Sequence, residues 1–394
     1  MSAVFPWKVV PLQNIAEQID YGLTASATDS ANGPKFLRIT DIQEDRVDWS
    51  TVPFCNCTVE DSKKYALMEG DIVFARTGAT TGKSFLVRSC PLGSVFASYL
   101  IRVRPSTKVV PGYLARFFQT PNYWNQITRS STGTAQAGVN ASNLKKLAVP
   151  LPPLEEQHRI AEILDRAEEL RSKRGEAIAQ LDTLTQAIFI EMFGAPRKLS
   201  NKKEIVPLSF LCHSINDGTH KTPNYVSCGV PFVTVKNITT GRLDFSNTKF
   251  ISQAEHEELT KRTKPERGDI LVSKDGTIGV PCPVQTDTVF SIFVSVALLK
   301  PKADIVDQIF LTTQLGSEWV QEQIRAGTKG IAIRHLHLTD FKRLKILLPP
   351  FHLQQEFARR VEAVEKLKAA HRASLSELDA LFASLQHRAF RGEL

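Results

Sequence analysis

Leu151-Pro152-Pro153-Leu154-Glu155-Glu156-Gln157-His158-Arg159-Ile160 opens a long apolar-periodic run, and the same signal returns at Leu348-Pro349-Pro350-Phe351-His352-Leu353-Gln354-Gln355-Glu356-Phe357. The two Pro-Pro pairs lie 197 residues apart in a chain of 394. A period this long is no solenoid. It reads as a duplicated module, one globular part plus one long helix, twice. Pro-Pro ends what precedes it and suits the first turn of a helix, where its missing N–H would have no partner anyway.

Behind each Pro-Pro the apolar residues recur at heptad spacing. In the first copy the a-type slots are Ile160, Ala167, Arg174, Leu181 and Ile188, and the d-type slots Ile163, Leu170, Ala177, Leu184 and Glu191. In the second copy the a-type slots are Phe357, Val364, His371, Leu378 and Leu385, with Arg360, Leu367, Ser374, Leu381 and Arg388 as d. A polar residue takes the same middle slot in both, Arg174 and His371, which suits a layer that helps set register. Each run approaches forty residues, a reach of roughly 55 Å. A helix that long needs a partner for its stripe, and the obvious partner is its own repeat.

The globular halves repeat piece by piece. Val9-Val10-Pro11-Leu12 matches Ile205-Val206-Pro207-Leu208, and Lys35-Phe36-Leu37-Arg38-Ile39 matches Pro231-Phe232-Val233-Thr234-Val235. Gly70-Asp71-Ile72-Val73 matches Gly268-Asp269-Ile270-Leu271. A helical stretch with Trp124 or Trp319 follows, then a Gly-Thr loop, Gly133-Thr134 or Gly327-Thr328, leading to Pro-Pro. The short apolar runs broken by Gly, Pro, Asn and Asp read as strands. The framework repeats and the loops between do not, and loops are where recognition usually sits.

Composition fits a globular chain, 42% apolar and 23% charged. No apolar run approaches the roughly twenty residues that span a bilayer. The start, Met1-Ser2-Ala3-Val4-Phe5-Pro6-Trp7-Lys8, lacks the pattern of a signal peptide, and six scattered cysteines make no disulfide framework. A cytoplasmic location is the expectation. The net charge is +8, and both globular stretches, 1–150 and 198–347, carry +5, against −3 and +1 on the helical stretches. Two basic modules on a near-neutral spacer suit a polyanion touched at two places.

Motifs that suggest catalysis fall short. Gly78-Ala79-Thr80-Thr81-Gly82-Lys83-Ser84 is one residue short of a phosphate-binding P-loop, and its repeat Gly276-Thr277-Ile278-Gly279-Val280 has no lysine. A strand–turn–strand hairpin is the expectation. Cys55-Asn56-Cys57 and His335-Leu336-His337 lack the further ligands of a metal site. Asp61-Ser62-Lys63 and Asp340-Phe341-Lys342 resemble the end of a nuclease site without its upstream acid, and the Asn-Pro-Pro-aromatic run of amino-methyltransferases is missing.

The doubled Leu-Pro-Pro-x-x-x-Gln start, the Gly-Asp-Ile-(Val/Leu) strand with its turn, the Gly-Thr loop before the helix, and the overall order of variable half, helix, variable half, helix resemble the DNA-specificity subunit of type I restriction–modification enzymes. The second copy departs only at Phe351-His352-Leu353-Gln354-Gln355. The resemblance implies an α+β fold: target-recognition domains at 1–150 and 198–347, separated by antiparallel spacer helices at 151–197 and 348–394, pseudo-twofold symmetric. It implies a non-catalytic chain that reads a bipartite DNA target, one domain per half-site. Its implied partners are two methyltransferase subunits carrying S-adenosylmethionine and two motor-nuclease subunits carrying ATP and magnesium, with no cofactor or metal in this chain.

Direct readout needs Arg, Lys, Asn or Gln at base edges, and phosphates take Lys, Arg, Ser, Thr and backbone N–H groups. The first-half candidates are Arg76, Thr77 and Lys83 on the hairpin, with Gln136 and Asn140 in the Gly-Thr loop. The second-half candidates are Lys274 and Asp275 on the matching hairpin, Lys329, Arg334 and His335 in its Gly-Thr loop, and Lys221 and Lys236. Two other readings stay open, an architectural DNA-binding protein without sequence readout and a nucleotide-dependent enzyme built on Gly78–Ser84. Half-site centres about one turn of B-DNA apart, some 34–36 Å, would leave a gap of roughly five to eight base pairs.

Overall fold

The computed structural model describes residues 7–43, 45–131, 139–194, 205–327 and 336–394. The chain forms two compact units, Met1–Gly175 with Ala373–Leu394, and Glu176–Arg372. The architecture is α+β, as expected.

In the first unit β1 (Ala16–Tyr21), β2 (Ile72–Ala75), β3 (Ser84–Leu86) and β4 (Leu100–Pro105) form an antiparallel sheet in the order β1-β4-β2-β3. All four β2 residues are buried, which is why Ile72-Val73-Phe74-Ala75 reads as an unbroken apolar run rather than an alternating one. Helices α1 (Pro121–Ser131) and α2 (Ala141–Lys145) precede the long helix α3 (Leu154–Phe193). The first strand, Lys8–Pro11, pairs antiparallel with the last, Ala148–Leu151. The globular part therefore closes on itself just where Pro152-Pro153 stops the ladder, since proline has no N–H to donate.

The second unit repeats this. Its strands β5 (Cys212–Asp217), β6 (Ile270–Ser273), β7 (Pro281–Pro283) and β8 (Val296–Pro301) take the order β5-β8-β6-β7, again antiparallel. Then come α4 (Glu318–Gly327), α5 (Leu338–Arg343) and the long α6 (Phe351–Ala389). Ile205–Pro207 pairs with Lys345–Leu347 and closes the unit before Pro349-Pro350. A short sheet of Tyr225–Val226, Lys249–Ile251, Val230–Val233 and Ser291–Ile292 lies to the side.

The glutamine of each Leu-Pro-Pro-x-x-x-Gln start is a buried bracket. Gln157, 1% exposed, accepts a hydrogen bond from the Val110 N–H at 2.8 Å and donates to the Pro152 carbonyl at 2.8 Å. Gln354, 0% exposed, accepts from the Asp307 N–H at 3.0 Å and donates to the Pro349 carbonyl at 2.8 Å. Each side chain pins the loop after the last long strand of its sheet to the first turn of its helix.

Both helices enter the cores. In the first unit Ile160, Ala161 and Leu164 of α3 join the core with Ala389 and Phe390, and Phe390 meets Tyr113 and Phe117 at centroid distances of 5.3 and 5.8 Å. In the second unit Phe357, Val361 and Val364 of α6 join it with Ile188 and Phe189, and Phe193 packs on Phe310 and Phe357. Full burial of one such side chain contributes about 1.5–3 kcal/mol. The helix segments run antiparallel within each unit. Arg171 meets Asp379 at 2.7 Å in the first, and Lys368 meets Asp182 at 2.7 Å in the second.

The seam corrects the heptad reading. The a-type slots are buried or half-buried, Arg174 and His371 among them. The d-type slots are not the second row: Leu170, Leu184, Leu367 and Leu381 are 44%, 40%, 47% and 49% exposed, and Glu191, Arg360 and Arg388 are exposed too. The second row lies one residue further on, at Leu164, Arg171 and Ile178 in α3 and at Val361, Lys368, Leu375 and Phe382 in α6. Each helix packs on a globular core as well as on its partner, which shifts its buried face away from the a/d stripe of a free-standing coiled coil.

His256, in the helix Gln253–Thr260, is 5% exposed, with Nδ1 2.8 Å from Ser291 Oγ. Burial pushes the ring below its ordinary value of 6.5, with Lys264 acting in the same direction and Glu257 against it. The unfolded chain thus takes up this proton more readily than the folded one. The contribution of the neutral ring is complete above about pH 6.5 and is lost as pH falls toward the folded value. The urea midpoint of the second unit is expected to fall between pH 7.5 and 5.5, and to fall less in His256→Gln. Identical pH profiles for parent and variant would refute this.

Candidate nucleic-acid interface

At the end of β2 the chain leaves the sheet at Arg76, and three segments meet there. The Arg76 N–H donates to the Tyr99 carbonyl at 3.0 Å, and its own carbonyl accepts from the Val139 N–H at 3.1 Å. The turn beyond is tight: the Gly82 N–H donates to Ala75 O and the Lys83 N–H to Thr80 O, each at 2.9 Å. The strand Ser84–Leu86 follows, so Gly78–Ser84 is the expected strand–turn–strand hairpin and opens no helix. Gly82 sits at φ +84°, and a Cβ there would lie 3.1 Å from Trp124 and 3.2 Å from Ile127. Only glycine lets this turn lie flat on α1, where the Tyr123 hydroxyl donates to the Gly82 carbonyl at 2.6 Å.

The second unit builds the same cradle. The Lys274 N–H donates to Ser295 O at 2.8 Å, and Lys274 O accepts from the Leu336 N–H at 3.4 Å. Gly279, at φ +85°, lies against Gln321 and Ile324 of α4, and Gln321 Nε2 donates to Gly279 O at 2.8 Å. The backbone is duplicated while the side chains differ.

In the first unit Arg76, Thr77 and Lys83 are exposed around this turn. The Arg76 guanidinium lies 4.8 Å from the ring centroid of Tyr21, the last residue of β1. The Tyr21 hydroxyl accepts from the Ala141 N–H at 3.1 Å, which ties it to the first turn of α2. Asn140 is the N-cap of α2, its Oδ1 accepting from the Asn143 N–H at 2.8 Å. Asp20 does not compete for Arg76, because the buried Arg102 grips it at 3.0 and 2.8 Å. Tyr99, 64% exposed, flanks Arg76.

Strand register places Asp217, the last residue of β5, where Tyr21 stands: Tyr21 lies opposite Ile101, and Asp217 opposite Ala297. Lys274 therefore meets a carboxylate instead of a ring, with Nζ 2.6 Å from Asp217 Oδ2. Arg262 binds the other oxygen at 2.8 Å, and His220 Nε2 lies 3.4 Å away. Burial alone would raise the Asp217 carboxyl. The hydrogen bond and charge of Lys274, with His220 and Arg262, overcome it and hold the group below the usual carboxylate range. Lys274 is half-buried as a result, while the Arg262 and His220 side chains stay 59% and 63% exposed.

Of the other candidates, Asp275 is half-buried beside Lys274, and Lys221 is exposed on the turn after β5, its N–H donating to Thr219 Oγ1. Lys236 is exposed on the single turn Val235–Asn237, on a different segment. Gln136, Lys329, Arg334 and His335 lie outside the described residues. Sequence reasoning missed Tyr21, Tyr99, Asp217, His220 and Arg262. One signal was there in duplicate, Tyr21-Gly22 and Asp217-Gly218. A Cβ on Gly22 would fall 2.3 Å from Ala97 O, and one on Gly218 2.0 Å from Ile292 O, so backbone crowding requires glycine at both strand ends.

Burial pushes the Cys55 thiol up to about 11, with the neighbouring Cys57 adding to it. Among the described residues no group of three or more His, Cys, Asp or Glu could hold a metal ion, and no helix is long and apolar enough to cross a membrane.

Comparison with known proteins accounts for the duplication. The profile of the type I restriction modification DNA specificity domain matches residues 6–181 and again 201–380. The putative type I restriction enzyme MjaX specificity subunit of Methanocaldococcus jannaschii is 25% identical over 400 residues, covering 95% of this chain and 90% of that protein. The EcoKI specificity subunit of Escherichia coli K12 is 25% identical over 428 residues, covering 98% and 89%. The crystal structure of a type I restriction-modification S subunit from M. genitalium shares the fold, with a TM-score of 0.59 at 14% identity and coverage of 99% and 97%. With two matched copies spanning most of its length, the chain belongs to the type I restriction–modification DNA-specificity family.

Proposed function

We propose that this chain is the DNA-reading subunit of a type I restriction–modification complex, with no catalytic role of its own. Residues 1–150 and 198–347 are the two target-recognition domains, each reading one half of a bipartite duplex target. The helical stretches 151–197 and 348–394 space them and offer assembly surfaces to two methyltransferase and two motor-nuclease subunits. S-adenosylmethionine, ATP and magnesium belong to those partners, and the assembly works in the cytoplasm.

One observation carries the reading. The same three-segment backbone cradle occurs in both units, holding Arg76 in one and Lys274 in the other. A duplicated cradle with exchanged side chains is what two half-sites of different sequence require, because base edges are told apart by donor and acceptor pattern. The exposed Lys83 and Thr77 beside Arg76, and Arg262, His220 and Lys221 near Lys274, suit phosphate and sugar contacts that fix position.

If each domain reads its own half, Arg76→Ala in the assembled methyltransferase weakens discrimination at one half-site only, by about 1–3 kcal/mol for a base-edge contact. Lys274→Ala acts on the other half. Competition binding with duplexes substituted one base pair at a time measures both. Equal relaxation of both halves, or uniform loss of affinity for all DNA, would overturn the assignment. Equal affinity for target and random duplexes would point instead to an architectural protein.

A further inference from the structure

The last residue of the edge strand and the first residue beyond the buried central strand, β2 or β6, form a matched pair in each unit: Tyr21 with Arg76, and Asp217 with Lys274. We propose that Tyr21 is a positioning residue that makes Arg76 the guanine reader of the first domain; this rests on the recognition role proposed above. A guanidinium 4.8 Å from a ring centroid gains a cation–π contact from that face. Its N–H edge keeps its donors, and among the described residues no carboxylate holds them. That edge suits the O6 and N7 acceptors that guanine presents in the major groove. Tyr21 is itself braced, since its hydroxyl accepts from the Ala141 N–H at 3.1 Å and the glycine behind it packs against Ala97 O. Tyr21 is 37% exposed, so it stands at the surface rather than in the core.

The second unit shows what the same position does with a different side chain. Asp217 draws Lys274 inward at 2.6 Å and leaves Arg262 and His220 as its exposed partners. The residue at the strand end thus decides whether the cation after β2 or β6 is held outward or withdrawn. Half-sites read by the two domains differ for that reason as well as through their loops.

The test uses the full chain assembled with its methyltransferase subunits, with methylome mapping to define the target and competition binding to single-substituted duplexes. Arg76→Ala is expected to relax one G·C pair of one half-site about tenfold or more. Tyr21→Ala and Tyr21→Asp should relax that same pair, the latter by recruiting Arg76 into an ion pair. Tyr21→Phe keeps the ring and should keep the discrimination. Tyr21→Ala combined with Arg76→Ala should be no worse than Arg76→Ala alone. Melting temperature is followed in parallel, and Tyr21→Asp and Tyr21→Phe decide the matter where Tyr21→Ala folds poorly. If Arg76→Ala relaxes a G·C pair and neither Tyr21→Ala nor Tyr21→Asp does, Tyr21 is no positioning residue. Relaxation by Arg76→Ala at an A·T pair overturns the guanine assignment. If Arg76→Ala changes no position at all, the recognition site itself is misplaced.

Discussion

Gln157→Ala and Gln354→Ala are each expected to lower stability by about 2–4 kcal/mol, because each leaves several buried backbone groups without partners at about 1–3 kcal/mol apiece. In the first unit the Val110 N–H loses its acceptor, and the Pro152 carbonyl, with Lys108 O at 3.4 Å, loses its donor. In the second the Asp307 N–H and the Pro349 and Ile305 carbonyls are orphaned in the same way. Both glutamines are essentially unexposed, so water cannot replace the amide without a cavity opening. Glutamate at either site keeps the acceptor but loses the donor and buries a charge, and should be at least as damaging. Urea unfolding of the full chain, with hydrogen exchange at Val110 and Asp307 as unit-specific probes, reads the effect. A loss below about 0.5 kcal/mol in both variants, the low end for a single hydrogen bond, would mean that the motif is not a structural bracket.

That bracket explains why the helix starts were so legible. Pro-Pro followed by a glutamine needs both parts, one to stop a strand and one to hold the loop above it, and the requirement recurs at a spacing of 197 residues. The sheet strands were legible for a similar reason: Ile72-Val73-Phe74-Ala75 and Ile270-Leu271-Val272-Ser273 are buried throughout and tolerate little polarity. The helix seam was legible in part. Burial against the globular core rotates the buried face, so Leu170 and Leu381 emerge where periodicity alone places them inside. The proposed recognition centre was half legible. Arg76 and Lys274 lie next to a repeated Gly-Asp strand and could be aligned by it. Tyr21 and Asp217 reach them across the sheet from strands more than fifty residues away, and their own offset is 196 rather than 198, so no single period aligns all four. Pairing of this kind belongs to strand register, which a one-dimensional repeat does not encode.

Inserting four residues after Ala177 is expected to abolish target methylation or lengthen the gap between half-sites, while the half-site bases stay the same. A four-residue insertion advances a helix by about 6 Å and turns it by about 40°. The insertion falls between two seam contacts of α3, Arg171 with Asp379 in the first unit and Asp182 with Lys368 in the second. Lengthening α3 alone puts these two contacts out of step, because α6 still spaces Lys368 and Asp379 as before. Strain of that sort should cost binding outright. A second four-residue insertion after Ser374, the repeat of Ala177, restores the match. The doubly extended chain should then bind again and methylate a target whose gap is about two base pairs longer, given roughly 3.4 Å of rise per base pair. Methylome mapping of cells carrying each variant gives both motif and gap directly. Full activity on the parental target from either the singly or the doubly extended chain would mean that the helices do not set the spacing.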